Sequence, residues 1–380
     1  MEPFKIDVDP AELADLHRRI AGTRWVRQAG GDDWDRGVPE SYLRELAEHW
    51  QRGYDWPAAQ DELNRIPQYL TGIDGATVHF AHSPSSAPDA VPILITSGWP
   101  GSLAEFVDVV GPLNAEGFHV VIASIPGYGF STPLTEPGWD IPRVARAWLE
   151  LMDRLGYDRF VVQGGDWGSF VSLDIARLAP ERVLGAHVNF LAVFPSGDLD
   201  ELAGLDDEDR QRLAGLGRFD ADGMGYLKLL STRPRTPAYG LNDSPVGLLA
   251  WIAEKYEEWS GPGAGTIDRD RLLTTVMLYW LPGAIGSSVQ MYYEVERLQR
   301  AADGPPPPVT VPIGVAVFPA DCFLPVRRLA ERAYPSITRW DEHDRGGHFP
   351  ALEVPELYVR SVVDFARTLG GQTGNEHTRG

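Results

Sequence analysis

Cysteine is nearly absent from this chain of 380 residues: Cys322 is the single one. That excludes an internal disulfide and any multi-cysteine metal site. Lysine is almost as scarce, found only at Lys5, Lys228 and Lys255, while arginine is abundant. This usage goes with a GC-rich genome and carries nothing mechanistic. Basic residues number 34 against 54 acidic ones, a formal net charge of −20, which argues against nucleic acid or another polyanion as partner. Part of the acid excess lies between Asp198 and Asp209, as a solvated face. No run approaches the roughly 20 apolar residues of a membrane span. The start, Met1-Glu2-Pro3-Phe4-Lys5, has neither the basic region nor the apolar stretch of a signal peptide. These absences lead us to expect a soluble cytoplasmic protein with no membrane partner.

Hydrophobic residues make up 43% of the chain, enough at this length for one large α/β domain with an insertion, or for two domains. The first seventy residues read as helical, with Asp9-Pro10 as N-cap and first-turn proline and Leu13, Leu16 and Ile20 at helical spacing. A second helix is expected from about Ser41 to Gln51. The rhythm then changes to short β-branched or apolar runs, Ala76–Phe80, Pro92–Thr96, His119–Ile125, Arg159–Gln163 and Val183–Phe190. Helical patterns near 103–116, 141–155 and 168–179 lie between the later ones. Strands alternating with helices imply crossover units and a mainly parallel sheet. From Pro195 to Asp303 the strands stop and helical periodicity rich in aromatics takes over, ending at the stiff run Pro305–Pro308. Strands at Val311–Phe318 and Ser336–Asp341 and helices at 326–333 and 355–369 follow. This predicts a helical region over 1–70, an α/β core over 71–194 and 309–370, a helical lid over 195–308 above the sheet's C-terminal edge, and a disordered tail over 371–380. No internal repeat is present.

Between the strand at Arg159–Gln163 and the following helix stands Gly164-Gly165-Asp166-Trp167-Gly168. It is a nucleophile-elbow pentad with aspartate at the usual place of serine, in the strand–turn–helix setting that makes such a match credible. Small residues allow the sharp turn that exposes the central side chain. A carboxylate displaces a leaving group at an alkyl carbon and forms an ester to the enzyme, which water must then cleave. A base and an oxyanion hole should therefore lie elsewhere. The strand ending Ile95-Thr96 runs into Ser97-Gly98-Trp99-Pro100-Gly101, the loop that donates one oxyanion-hole N–H in α/β-hydrolases, with the residue after the nucleophile donating the other. Those donors would be the backbones of Trp99 and Trp167, although taken alone the first loop reads sooner as a plain glycine-proline turn between strand and helix. Asp321, just past a late strand, stands where the triad acid belongs, and an N-cap for the next helix is its bland reading. His348 lies in Arg345-Gly346-Gly347-His348-Phe349-Pro350, after the last strand and before a helix, the position of the base that activates the hydrolytic water. His343 competes but lacks the glycine setting; the other histidines read as structural or surface residues. The order nucleophile, acid, histidine is that of the α/β-hydrolase fold.

These residues resemble the microsomal-type epoxide hydrolase family of α/β-hydrolases over nearly the whole chain. The family opens with a helical N-terminal region, and its His-Gly-Trp-Pro motif is matched by Ser97-Gly98-Trp99-Pro100, with serine replacing the histidine. Its nucleophile motif matches Gly164–Gly168 and its histidine motif Gly347-His348-Phe349. The lid runs Tyr226–Pro234 and Asn242–Leu248 also look like the family's. The resemblance implies that two lid tyrosines hold the epoxide oxygen, at Tyr226 and Tyr292, with the adjacent Tyr293 competing for the second place. It implies conversion of an epoxide and water to a vicinal diol through an Asp166 ester, with no metal or organic cofactor. The membrane anchor of microsomal members is not carried over.

Haloalkane dehalogenase shares the fold and the aspartate nucleophile, and a non-catalytic binding module is the alternative from another class. Trp251, Trp280 and Tyr239 suggest a pocket for a bulky apolar or aromatic epoxide, though all three also suit lid core. Detoxification or natural-product tailoring in a bacterium would suit such an enzyme, and a homodimer is compatible with the sequence.

Overall fold

The β-branched and apolar runs bounded by turns become strands, and nine of them form one sheet in the computed structural model, which describes residues 1–26, 30–197, 199–260 and 267–370. They are β1 (Glu2–Phe4), β2 (Gln68–Ile73), β3 (Ala76–Ser83), β4 (Val91–Thr96), β5 (Phe118–Ala123), β6 (Phe160–Gly164), β7 (Val183–Val188), β8 (Ile313–Val317) and β9 (Ile337–Glu342). Their order is β1-β2-β3-β5-β4-β6-β7-β8-β9. β1, β2, β3 and β5 pair antiparallel, and every pair from β5 through β4 to β9 is parallel. Every residue of β6 and β8 is buried, as expected of parallel strands covered by helices on both faces. The fold is thus of the α/β-hydrolase class.

The region expected to be helical, residues 1–70, forms three helices but also contains strand. Helices Pro10–Ala21, Glu40–Arg52 and Trp56–Leu63 form, the first capped by the Asp9 carboxylate on the Ala11 N–H. Yet β1 and the beginning of β2 also lie before residue 71 and extend the sheet past β3. A three-residue strand has no readable period, and β2 is specified by its partner β3 rather than by alternation of its own. The expected tail and His377 lie outside the described residues, as does Asp198.

Between β7 and β8 only helices occur among the described residues, including Gly225–Leu230, Pro245–Trp259, Arg269–Trp280 and Gln290–Ala301. They dock on the C-terminal edge of the sheet: the Tyr279 hydroxyl donates to the Gly101 carbonyl at 2.9 Å and the Ser287 hydroxyl to the Gly127 carbonyl at 2.8 Å. The chain goes from β4 to β5 on one side and then crosses β4 to reach β6 on the other. This reversal opens a crevice at the ends of β4 and β6, where such sheets bind ligands. No helix among the described residues is by itself long and apolar enough to cross a membrane.

Two core histidines make the fold sensitive to acid. His79 on β3 bonds Gln68 at 2.8 Å and Ser124 at 3.1 Å, and His187 on β7 bonds Ser361 at 3.0 Å. Burial pushes both imidazoles down to about 3. The unfolded chain takes up these protons below its ordinary value of 6.5, the folded chain only near 3, so the stability they confer is complete above pH 6.5 and declines as pH falls. Glu105 and Glu353, pushed up by burial to about 8 and about 7, act oppositely in the same window. The expected signature is therefore differential. His79→Gln should flatten the fall in urea midpoint from pH 6.5 to 4.5 relative to wild type; an unchanged slope would mean that His79 does not titrate as described.

Candidate active site

Asp166 sits directly after β6, at the N-terminus of helix Trp167–Leu178, with φ 46° and ψ −127°. A non-glycine residue holds such a conformation only when its surroundings impose it. Here Gly168 packs so tightly on β4 that an added Cβ would stand 1.8 Å from the Thr96 carbonyl oxygen. The Ser169 hydroxyl donates to the Gly164 carbonyl at 2.8 Å and closes the turn. Beneath it runs a buried chain in which Tyr358 OH donates to Gln163 Oε1 at 2.6 Å and Gln163 Nε2 donates to Asn189 Oδ1 at 2.8 Å.

The β4–β6 register pairs Thr96 with Gly164, so the loop after β4 lies beside the elbow. The Trp99 N–H donates to Asp166 Oδ1 at 2.8 Å. Gly98 makes this approach feasible, because a Cβ there would lie 2.0 Å from the same oxygen. Ser97 thus does not prevent the loop from presenting its N–H. The Trp167 N–H opens the helix and has no intrahelical acceptor. Ser102 and Glu105 form a capping box just beyond the loop, with the Ser102 N–H donating to Glu105 Oε1 at 2.8 Å.

His348 follows β9 and presents Nε2 to Asp166 Oδ2 at 3.5 Å, an ion-pair distance outside hydrogen-bond geometry. Its Nδ1 bonds Asp321 Oδ1 at 2.7 Å, and Asp321, past β8, also accepts from the Cys322 N–H. The His348 backbone N–H donates to the Trp259 carbonyl at 2.8 Å. Burial alone would depress this imidazole, but the Asp321 charge and the Asp166 carboxylate outweigh it and hold His348 well above its ordinary value. The charged form is therefore favoured while both carboxylates are anionic. His343 instead stacks on Phe318 at 4.5 Å, away from this cluster.

Tyr226 and Tyr292 cover Asp166 from the lid, their ring centroids 5.9 Å apart and each 6.0 Å from that of Trp99. Tyr292 also meets Trp167 edge-on at 5.0 Å, whereas the Tyr293 hydroxyl accepts from Arg297 at 3.1 Å and borders an outer groove of about 780 Å³. Helical phase turns Tyr292, and not Tyr293, toward the nucleophile. Burial first, and then neighbouring charge including that of Asp166, push both phenols well above their ordinary value of 10. They stand as neutral O–H donors.

Residues 1–106 match the family described as "Epoxide hydrolase N terminus", and residues 91–219 match the "alpha/beta hydrolase fold" family. Epoxide hydrolase 1 of Sus scrofa is 33% identical over 407 residues, covering 98% of this chain and 90% of its own. The chain belongs to the epoxide hydrolase family. A provisionally named epoxide hydrolase of Stigmatella aurantiaca (strain DW4/3-1) is 40% identical over 379 residues, 97% of this chain and 85% of that one. Among solved structures, the juvenile hormone epoxide hydrolase of the silkworm Bombyx mori superposes with a TM-score of 0.90 at 28% identity, covering 98% of this chain and 95% of its own.

For this member of the epoxide hydrolase family, the three aromatics expected at the pocket are placed elsewhere. Tyr239 is 78% exposed on the rim of the outer groove. Trp280 lies under the Arg19 guanidinium. Trp251 has no ring contact with the residues around Asp166, and none of the three borders the small cavity of about 20 Å³ against Asp166 and His348. On another side of His348 a row of rings gathers: Phe190, 5.2 Å from the imidazole, and Phe323, 5.1 Å from Phe190, continued outward by Phe219. Both lie close in sequence to site elements, Phe190 just past β7 and Phe323 two residues after Asp321. That adjacency is the signal by which they were readable. The Ser-x-x-Glu spacing was a comparable sign of Glu105.

Proposed function

We propose that this protein hydrolyses an epoxide to a vicinal diol in two steps through an ester on Asp166. Asp166 attacks an epoxide carbon while the Tyr226 and Tyr292 hydroxyls donate to the ring oxygen, breaking the C–O bond and forming a hydroxyalkyl ester. Esterification removes the Asp166 charge that favoured the imidazolium, whose proton passes to the alkoxide; the neutral His348, oriented by Asp321, then removes a proton from water, which adds to the Asp166 carboxyl carbon. The oxyanion faces the N–H groups of Trp99 and Trp167; on collapse the departing alkoxide takes the proton of the new Asp166 carboxyl, the carboxylate is restored beside the imidazolium, and the diol leaves. Removing one such donor typically costs about 2.7–4 kcal/mol of barrier.

The observation that carries this reading is the placement of the Asp166 carboxylate between the Trp99 N–H at 2.8 Å and His348 Nε2 at 3.5 Å. The two lid phenols packed on Trp99, Tyr226 stacked and Tyr292 edge-on, favour an epoxide over a halide as the leaving function. Phe190, Phe323 and Phe219 favour a bulky aromatic or polycyclic substrate. The arginine-rich composition supports a natural-product setting for that substrate.

His348→Gln tests it. Without the base, ester formation with styrene oxide should continue and hydrolysis should slow by about 10²–10⁴-fold. Intact-mass measurement should then show one substrate mass added to the peptide containing Asp166. Trapping by a haloalkane but by no epoxide would move the assignment to dehalogenation.

A further inference from the structure

Lys255 is a charged residue where charge is least expected. It lies on helix Pro245–Trp259 with only 3% of its surface exposed. Its ammonium stands over the ring of Tyr226, 4.8 Å from the centroid, and 5.8 Å from that of Trp259. The carboxylates of Glu254 and Glu258 hold it, the second at 3.1 Å. Burying a lysine requires such pairing. The two acids are the wetter end of the cluster, with side chains 29% and 41% exposed against 3% for the lysine. Among the described residues the Lys255 ammonium is the cation set against the tyrosine face.

We propose that Lys255 is a positioning residue that acts through Tyr226, its ammonium stabilising the electron density that builds on the phenol as the epoxide ring opens. This rests on the ester route above, in which the Tyr226 O–H donates to the departing oxygen. As that hydrogen bond strengthens, negative charge grows on the phenol oxygen and its ring. A cation fixed over the ring face gains more from this in the transition state than in the ground state. Asp166 from the elbow and Glu258, on the helix that carries Lys255, oppose ionisation of Tyr226, while its hydrogen bond with Tyr292 favours it. Lys255 is the one cation described against its ring. The second contact is to Trp259, which packs on Tyr226 itself, at 5.5 Å, as well as on His348.

The test separates the two half-reactions. In a His348→Gln background, the rate at which styrene oxide adds to the Asp166 peptide is followed by rapid-quench mass spectrometry. Lys255→Met should slow adduct formation by about 10–30-fold, the size of a desolvated cation–π contact. Lys255→Arg, which keeps the cation, should restore the rate to within about 3-fold. In a Tyr226→Phe background Lys255→Met should add almost nothing, since the hydroxyl it assists is gone. An unchanged adduct rate in Lys255→Met overturns the inference. So does an equal loss in the Tyr226→Phe background, which is the pattern of simple lid support. Failure of His348→Gln itself to form any adduct overturns the ester route, and this inference with it.

Discussion

Asp166→Asn should lower diol formation by about 10⁴-fold or more while leaving the fold intact. The amide is isosteric with the carboxylate but has no anionic oxygen to attack carbon. Asparagine is also among the residues that best tolerate positive φ, so the 46° value at this position does not penalise it. Its carbonyl oxygen can still accept from the Trp99 N–H. The second consequence is electrostatic. Asp166 is one of the groups holding His348 above its ordinary value, so the imidazole should titrate lower in the variant. An initial-rate diol assay and an NMR titration of the histidine would measure the two effects. Activity above about one per cent of wild type would mean that water attacks the epoxide directly and that Asp166 is not the nucleophile.

Gly168→Ala should damage folding instead. The new methyl would stand 1.8 Å from the Thr96 carbonyl oxygen and 3.2 Å from that of Ser97. Neither atom is the loose end of a side chain. Thr96 is the last residue of β4, hydrogen-bonded into the sheet between β5 and β6. The elbow must therefore lift off the sheet, at a cost of about 3 kcal/mol or more. Gly111 supplies the control, since it lies inside helix Val107–Ala115 with nothing within 4 Å of an added Cβ. Alanine there should stabilise by about 0.5–1 kcal/mol. Denaturant midpoints of the two variants should move in opposite directions; equal stability would show that the elbow accommodates the methyl.

The parts of the site that were legible in the sequence share one property: each hangs from the end of a strand and is flanked by residues with a single structural use. The glycines around Asp166, those before His348 and the Gly98-Trp99 turn mark sharp turns whatever the surroundings. Chain order then supplies the roles. Lid residues lack this. Tyr292 and Tyr293 differ by one step of helix rotation, and only the packing against Trp99 and Trp167 distinguishes them. Tyr239, Trp251 and Trp280 are as aromatic as Phe190 and Phe323, but aromatic character does not say which way a helix face turns. Lys255 reads as a surface charge, and its burial depends on Glu254, Glu258 and two rings. The strands β1 and β2 are defined by partners rather than by patterns of their own.

The hydrogen bond from the His348 N–H to the Trp259 carbonyl also ties the base to its cover. Gly347 is held against that same carbonyl, where a Cβ would lie 2.4 Å away. Helix Pro245–Trp259 therefore cannot swing outward as a door hinged apart from the chemistry, because its last turn carries the histidine loop with it. Any outward shift of this helix would therefore disturb the base that activates water. A substrate that props this helix open would be alkylated onto the enzyme yet freed slowly, behaving as its own inhibitor.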